Sequence, residues 1–194
     1  YKSYWVNHAY YGPGTIYVEN TSNVSEIFNL NLTYNKAGWV VHMLRGVMGD
    51  SSFFQTLKSY GSNDTLAYNS ATTEDFKKVC EAESGLDLED FFNQWIYGSY
   101  YPKYGVSWEL NEDNELIVDI YQQQNWQYFN MPIPIYVITT QDTIKLVLEN
   151  TSEYQQFNLG FFSNSVVDLK FDPDNWILKE VEYLSLPDIV PEQS

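Results

Sequence analysis

Apolar side chains recur at steps of three and four positions between residues 34 and 48, a spacing that places them on one face of a helix about four turns long. The positions on this face are Tyr34, Ala37, Val41, Leu44 and Met48. We expect this face to be buried, with Gly49 ending the helix and Asp50 acting as the N-cap of a second helix. The residues expected to pack the second helix against the first are Phe53, Phe54, Leu57 and Tyr60.

Two further helices are predicted before residue 100. The first is opened by the capping-box spacing of Thr72 and Asp75 and is ended by Gly85. Its inner face is expected to hold Phe76, Val79 and Cys80. The second runs from Asp87 to Gly98 and has an apolar face made of Leu88, Phe91, Phe92 and Trp95. Four short amphipathic helices joined by tight loops indicate an all-helical first half.

The pattern changes from a helical period to simple alternation after Pro102, which indicates β-strands. The alternating runs are Tyr104 to Leu110, Leu116 to Ile120, Ile133 to Val137, Ile144 to Leu148, Phe157 to Leu159, Val167 to Phe171 and Ile177 to Tyr183. About seven short strands at this spacing predict an antiparallel β-sandwich. We therefore predict an α+β fold with a helical part over residues 1–101, a β-sandwich over 102–187 and a frayed tail over 188–194.

Charge narrows the range of partners. The chain has a formal net charge of -16 and a pI near 4.2, and a field of this sign repels phosphate backbones, so nucleic acid is not expected as a partner. A dispersed acidic surface mainly maintains solubility.

Cys80 is the only cysteine, so no disulfide can form within the chain, and no apolar run is long enough to predict a membrane span. The sequence does not fix the localisation, although a secreted or periplasmic location is favoured.

Four blocks of sequence carry a resemblance to a known family. In the first, Tyr34–Phe54, a Tyr-x-Lys element and two small residues precede Trp-Val-Val-His-Met-Leu-Arg-Gly-Val-Met-Gly-Asp. The others are Asn69–Phe76, Ser84–Leu88 and Phe91–Gly98, followed by Tyr101-Pro102. In this order the blocks resemble the segment after the zinc site of aminopeptidase N-like zinc metallopeptidases of the gluzincin type. The family usually has Gly-Ala where this chain has Ala37-Gly38.

The resemblance has implications for fold and activity. It implies the end of a thermolysin-like catalytic domain followed by a β-sandwich, although the match over the β half is loose and depends on strand number and on Phe171–Lys179. The implied parent reaction is release of N-terminal amino acids from peptides, in which a zinc-bound water attacks the scissile carbonyl. In the resembling family the Tyr at the position of Tyr34 stabilises the tetrahedral oxyanion. The case for a catalytic role of Lys36 is weaker, and this residue is expected to be a solvated charge.

The zinc site itself is not expected within this chain. Such peptidases hold zinc with two His one helical turn apart and a more distant Glu. The only histidines here, His8 and His42, lack His or Glu at the required offsets, and His42 is interpreted as structural. Zinc is therefore implied for the parent enzyme but not bound by this chain. The chain reads as a C-terminal part that meets the peptide substrate only through the missing catalytic part and is inactive alone.

The alternative is a non-catalytic binding or scaffold module with an acidic, aromatic-rich surface. Trp126, Tyr128 and Phe129 are compatible with an aromatic platform for a sugar or peptide, although a loop folded over the sandwich core is favoured. Asp172–Asn175 alternates acidic residues in the manner of a calcium loop but lacks the central Gly and the closing Glu, so a turn is the simpler interpretation. The sequence does not predict the oligomeric state or the preferred N-terminal residue.

Overall fold

A computed structural model describes residues 14–185. The chain divides into two compact units, and the division falls between Tyr100 and Tyr101. The first unit is helical and the second contains two antiparallel-rich sheets, so the predicted α+β fold class is confirmed. No helix within residues 14–185 is long and apolar enough to cross a membrane. His8 and the predicted tail at 188–194 lie outside the described residues.

The helical unit combines α-helices with two π-helical segments. Within residues 14–100 these elements are α1 (Val24–Ile27), π1 (Leu30–Lys36), α2 (Ala37–Met48), α3 (Asp50–Ser62), α4 (Thr73–Ser84), α5 (Glu89–Phe92) and π2 (Asn93–Tyr97). The predicted first helix is thus two elements, because the backbone changes from π-helical to α-helical geometry at Ala37. π-Helical turns are rare and occur frequently at functional sites.

The buried face of α2 differs from the predicted one. Its buried residues are Trp39, Val40, Met43, Leu44 and Met48, whereas Tyr34 and Val41 are about half exposed. Two apolar stripes run along this helix only a fraction of a turn apart. Burial of the stripe that contains Trp39 and Met43 removes more apolar area from water, and the hydrophobic free energy scales with that area.

The junction between α2 and α3 corrects a second prediction. Gly49, at φ 77°, both ends α2 and precedes α3, so Asp50 is the first residue of α3 and not its N-cap. Its carboxylate instead accepts two hydrogen bonds from the Arg45 guanidinium, at 2.8 and 2.9 Å. The predicted inward positions Phe54 and Leu57 are exposed, while Phe53 is buried as predicted. Phe54 lies beneath the Arg45 guanidinium, 5.1 Å from the ring centroid.

The remaining helices follow their sequence signals. The capping box is present, because Thr72 and Asp75 exchange side-chain to backbone hydrogen bonds, and α4 ends at Gly85 in the left-handed conformation. Aromatic contacts join three elements: Tyr60 of α3 packs edge-on against Phe76 of α4, which contacts Phe92 of α5. The predicted apolar face of the last helix is buried and consists of Leu88, Phe91, Phe92 and Trp95.

Seven strands form two sheets within residues 101–185. The strands are β1 (Lys103–Leu110), β2 (Glu115–Gln122), β3 (Met131–Thr139), β4 (Thr143–Asn150), β5 (Tyr154–Phe161), β6 (Val166–Phe171) and β7 (Glu180–Tyr183). One sheet has the order β5-β2-β1-β7 and the other β4-β3-β6. All pairings are antiparallel except that of β1 with β7, which is parallel. The fully buried residues of this unit include Tyr104, Val106, Val118, Ile120, Ile133, Ile135 and Val137.

The predicted last strand, Ile177 to Tyr183, begins only at Glu180, because residues 177–179 are bonded to the tight turn that precedes them. Asp172 has φ 40°, and the Asn175 N–H donates to its carbonyl to close the turn. The Asp172 carboxylate accepts hydrogen bonds from the backbone N–H groups of Trp176 and Ile177 and from Lys179 Nζ, at 2.8, 2.9 and 2.6 Å. Both ends of the Asp172–Lys179 pair are buried. The acidic side chain therefore has a structural role in the turn.

The Asp172–Lys179 pair generates a stability prediction. Substitution of Asp172→Asn removes the carboxylate that pairs with the buried Lys179 ammonium, and we expect the free energy of unfolding to fall by about 3–5 kcal/mol. The matched control is Asp168→Asn, because the ion pair of Asp168 with Lys170 is about half exposed and should contribute less than about 1 kcal/mol. Urea unfolding of both variants measures the difference, and equal effects would contradict a special role for the buried pair.

Candidate functional site

Tyr34, the predicted catalytic residue, lies in π1 with its side chain directed toward solvent. The residue is 52% exposed. Its hydroxyl has no hydrogen-bond partner within residues 14–185, in contrast to the hydroxyls of Tyr97 and Tyr154, which bond to Glu74 and Asp119. A phenol that is neither buried nor bonded remains available to donate a hydrogen bond to another molecule.

The start of π1 is held by local polar side chains. The Asn29 side-chain oxygen accepts hydrogen bonds from the N–H groups of Asn31 and Leu32, which satisfies donors that a helix start leaves unpaired. The Thr33 hydroxyl contacts the carbonyls of Ile27 and Asn29, both at 2.9 Å. The backbone one residue before Tyr34 is therefore anchored to the turn that precedes it.

An apolar cavity lies along the face of α2 that begins at Ala37. Ala37 and Val41 follow Tyr34 at helical spacing and, with Leu44, form one wall of a cavity of about 480 Å³. The other walls come from residues 16–18, the end of α3, the start of α4 and the α5–π2 region. A volume of this size is within the range of small-molecule sites, about 300–1,000 Å³. The incomplete burial of Val41 is explained by this cavity.

Lys36 is buried, which corrects the prediction that it is a solvated charge. It is 1% exposed, and its Nζ lies 3.3 Å from the carbonyl oxygen of Gly14 and 3.1 Å from that of Gly98. No carboxylate within residues 14–185 lies close enough to pair with it. Burial lowers the pKa of Lys36 from 10.5 to about 8, because removal from water disfavours the charged form.

One signal for this burial was present in the sequence. Lys36 precedes Trp39 and Val40 by three and four positions, so it continues the stripe that the structure buries. The partners of Lys36 are 22 and 62 residues away along the chain, and local periodicity contains no information about them. The burial was therefore detectable in principle, whereas the two carbonyl acceptors were not.

The described residues do not provide a zinc site. Within residues 14–185 there is no group of three or more His, Cys, Asp or Glu side chains arranged to hold a metal ion. His42 lies in the middle of α2, where its ring packs edge-on against Trp39 at 5.3 Å. These residues therefore do not fit the zinc that the resemblance implies for the parent enzyme.

The aromatic segment near residue 126 is a loop supported by a buried amide network. The Gln122 side chain donates to the Phe129 carbonyl and to Asn150, and it accepts from the Phe129 N–H. Gln124 donates to Gln122 and to the Gln127 carbonyl. Phe129 is fully buried, while the two other aromatic residues of the segment, Trp126 and Tyr128, are partly exposed. A single platform of all three rings is therefore not formed.

Comparisons with known proteins relate the helical half to peptidases. A family model described as "Peptidase family M1 domain" matches residues 8–95. Aminopeptidase M1-C of Oryza sativa subsp. japonica is 32% identical over 110 residues, which are 54% of this chain and 12% of that protein. Transcription initiation factor TFIID subunit 2 of Saccharomyces cerevisiae is 30% identical over 101 residues, which are 46% of this chain and 7% of that protein. This chain thus spans only a small part of these relatives.

A solved structure shares the fold. The crystal structure of Legionella pneumophila aminopeptidase A in complex with aspartic acid matches with a TM-score of 0.69 and 18% identity, over 84% of this chain and 19% of that one. At this identity the likeness is one of fold. Together with the family match, it confirms the resemblance that the four sequence blocks predicted.

The lowered pKa of Lys36 generates a pH prediction. Between its pKa in the folded chain, about 8, and that in the unfolded chain, about 10.5, only the unfolded state holds the proton, so stability rises with pH. Since one pKa unit corresponds to about 1.4 kcal/mol, the free energy of unfolding of the wild type should rise by up to about 3 kcal/mol relative to Lys36→Met between pH 8 and 10.5.

Urea unfolding of the two proteins at pH 7.5 and pH 10 measures this difference. Lys58→Met, at an exposed position of α3, is the control and should show no such change relative to the wild type. A difference between wild type and Lys36→Met that is the same at both pH values would show that Lys36 keeps its ordinary pKa.

Proposed function

We propose that this chain, a relative of the M1 aminopeptidases, is the C-terminal part of a zinc aminopeptidase that removes N-terminal residues from peptides. In this proposal the chain contributes the oxyanion-stabilising hydroxyl of Tyr34 but not the zinc site. The supporting observation is that Tyr34, within the block that resembles the family, is half exposed and has no hydrogen-bond partner for its hydroxyl within residues 14–185. Zinc is proposed for the larger protein only, with ligands outside the described residues.

The chemistry assigned to Tyr34 is electrostatic. When a nucleophile adds to a peptide carbonyl, negative charge develops on the carbonyl oxygen, and a donor aimed at that oxygen lowers the barrier. The Tyr34 O–H would donate to this oxygen and would not need to lose its proton. A donor that already bonds to a protein acceptor, as the Tyr97 hydroxyl does to Glu74, would first have to break that bond.

Substitution of Tyr34→Phe tests the role of the hydroxyl. In the full-length protein that carries this segment, we expect the variant to lose about 10²–10³-fold in turnover of aminoacyl arylamides, because one oxyanion donor is removed. Zinc content should be unchanged. Tyr68→Phe is the matched control, since Tyr68 is a fully exposed phenol on a loop, and it should retain wild-type turnover. Near-normal turnover of Tyr34→Phe would assign Tyr34 to packing.

The isolated 194-residue chain provides a second test. We expect no arylamide hydrolysis and no stoichiometric zinc by elemental analysis, since residues 14–185 hold no cluster suited to a metal ion and contribute one catalytic group at most. Either activity or bound zinc at one equivalent would show that the chain contains a site that the proposal assigns to another part of the protein.

A second candidate function is a non-catalytic binding or scaffold module. The similarity to TFIID subunit 2 favours it, because a protein whose name describes a transcription factor subunit matches the chain at 30% identity. The two candidates differ in what accompanies this segment in the full-length protein. A His-Glu-x-x-His motif upstream of Tyr1 supports the peptidase, and its absence supports the scaffold.

A further inference from the structure

We propose that Lys36 is a positioning residue for Tyr34, which it holds in place by joining the backbone of π1 to two distant carbonyl groups. The inference rests on the function proposed for Tyr34. It starts from a contrast between the side chains of two neighbours: Lys36 is buried and hydrogen-bonded, whereas Tyr34, two residues earlier, is half exposed and its hydroxyl makes no hydrogen bond within residues 14–185.

The geometry of Lys36 links three parts of the helical unit. Its Nζ donates to the carbonyl of Gly14, 22 residues earlier, and to that of Gly98, directly after π2. Its own backbone is the last residue of π1. One nitrogen therefore ties the end of π1 to the end of π2, so a shift of one segment against the other would break a hydrogen bond.

The surroundings of Lys36 Nζ suit an amine that joins two carbonyl groups by hydrogen bonds. The neutral form of the amine has two N–H groups, and two carbonyl acceptors are present. The charged form has a third donor and a charge without a carboxylate partner within residues 14–185, an arrangement that is unfavourable in a buried position. An apolar residue such as Met would avoid this penalty, so hydrophobic stability alone does not explain the choice of Lys.

The orientation of Tyr34 has to come from the backbone. Its ring is half exposed, and its hydroxyl makes no hydrogen bond within residues 14–185. The Asn29 and Thr33 side chains hold the segment before it, and Lys36 holds the segment after it. Since a displacement of about 1 Å at a catalytic group can reduce turnover by about 10²-fold, loss of one of these anchors should be measurable in the reaction.

A double-mutant cycle in the full-length protein tests the inference. We expect Lys36→Met to lower turnover at least tenfold with KM changed less than about twofold, since the hydroxyl acts on the oxyanion and not on the bound substrate. In the Tyr34→Phe background, Lys36→Met should have no further effect, because the group it positions is already missing. Equal effects in both backgrounds would overturn the inference and leave Lys36 with a general role in stability.

Lys77→Met is the matched control. Lys77 is also largely buried, but it lies on α4 and pairs with Glu74 and Glu89, so its loss should reduce stability while its effect on turnover is the same in both backgrounds. If Tyr34→Phe alone retains normal turnover, the proposed function of Tyr34 fails. If Tyr34→Phe is impaired and the Lys36→Met effect is additive, only the positioning role fails.

Amide hydrogen exchange gives a readout that does not depend on activity. In the full-length protein, Lys36→Met should accelerate exchange across Leu30–Lys36 and leave α4 unchanged, and unchanged exchange in π1 would overturn the inference. If Lys36→Met does not fold, the cycle is repeated with Lys36→Gln, which keeps two N–H donors but has a shorter side chain and so holds π1 less well. Lys36→Gln should then lose turnover when Tyr34 is present and have no effect in the Tyr34→Phe background. Any other result would show that the positioning role is wrong.

Discussion

The arrangement of the helical unit depends on the burial of one amine. Lys36 is almost fully buried and has no carboxylate partner within residues 14–185, so its hydrogen bonds to the carbonyls of Gly14 and Gly98 compensate for its removal from water. Gly98 directly follows π2 and Gly14 lies outside the helices, so neither carbonyl is within a regular helix. Lys36 precedes Trp39 and Val40 by three and four positions, so its burial and that of the apolar stripe on α2 favour the same rotation, and Tyr34 and Val41 are left about half exposed.

The β unit also contains a buried lysine, but this one has a carboxylate partner. Lys179 is paired with Asp172, and the same carboxylate also accepts two backbone N–H groups of the turn. That site is electrically balanced and closes a turn between strands. The contrast indicates different roles for the two lysines. A buried lysine that is paired with a carboxylate can serve stability alone, whereas a buried lysine without a carboxylate partner lowers stability and is retained for another role, such as the positioning of Tyr34.

Patterns among residues near one another in sequence were sufficient to predict most helices and strands, but not the contacts of the candidate functional site. The capping box of Thr72, the strands β1 and β2 and the alternation of β3 follow from residues near one another in sequence, and all were predicted. The buried face of α2 was not predicted, because the helix has two apolar stripes and packing with distant elements decides which of them is buried. The role of Tyr34 was predicted from the resemblance and stays a prediction, while the contacts of Lys36 join residues too distant for any periodic pattern to reveal.

The sheet order has a consequence for handling the protein. Within residues 14–185, β4 and β5 lie at sheet edges, each eight residues long with one side of its backbone unpaired, and such edges are templates for pairing between molecules. At neutral pH the net charge of -16 keeps copies apart by mutual repulsion. That repulsion disappears near the pI of about 4.2, so mildly acidic buffers favour precipitation through these edges, and colloidal stability is greatest in neutral or alkaline solutions of low salt.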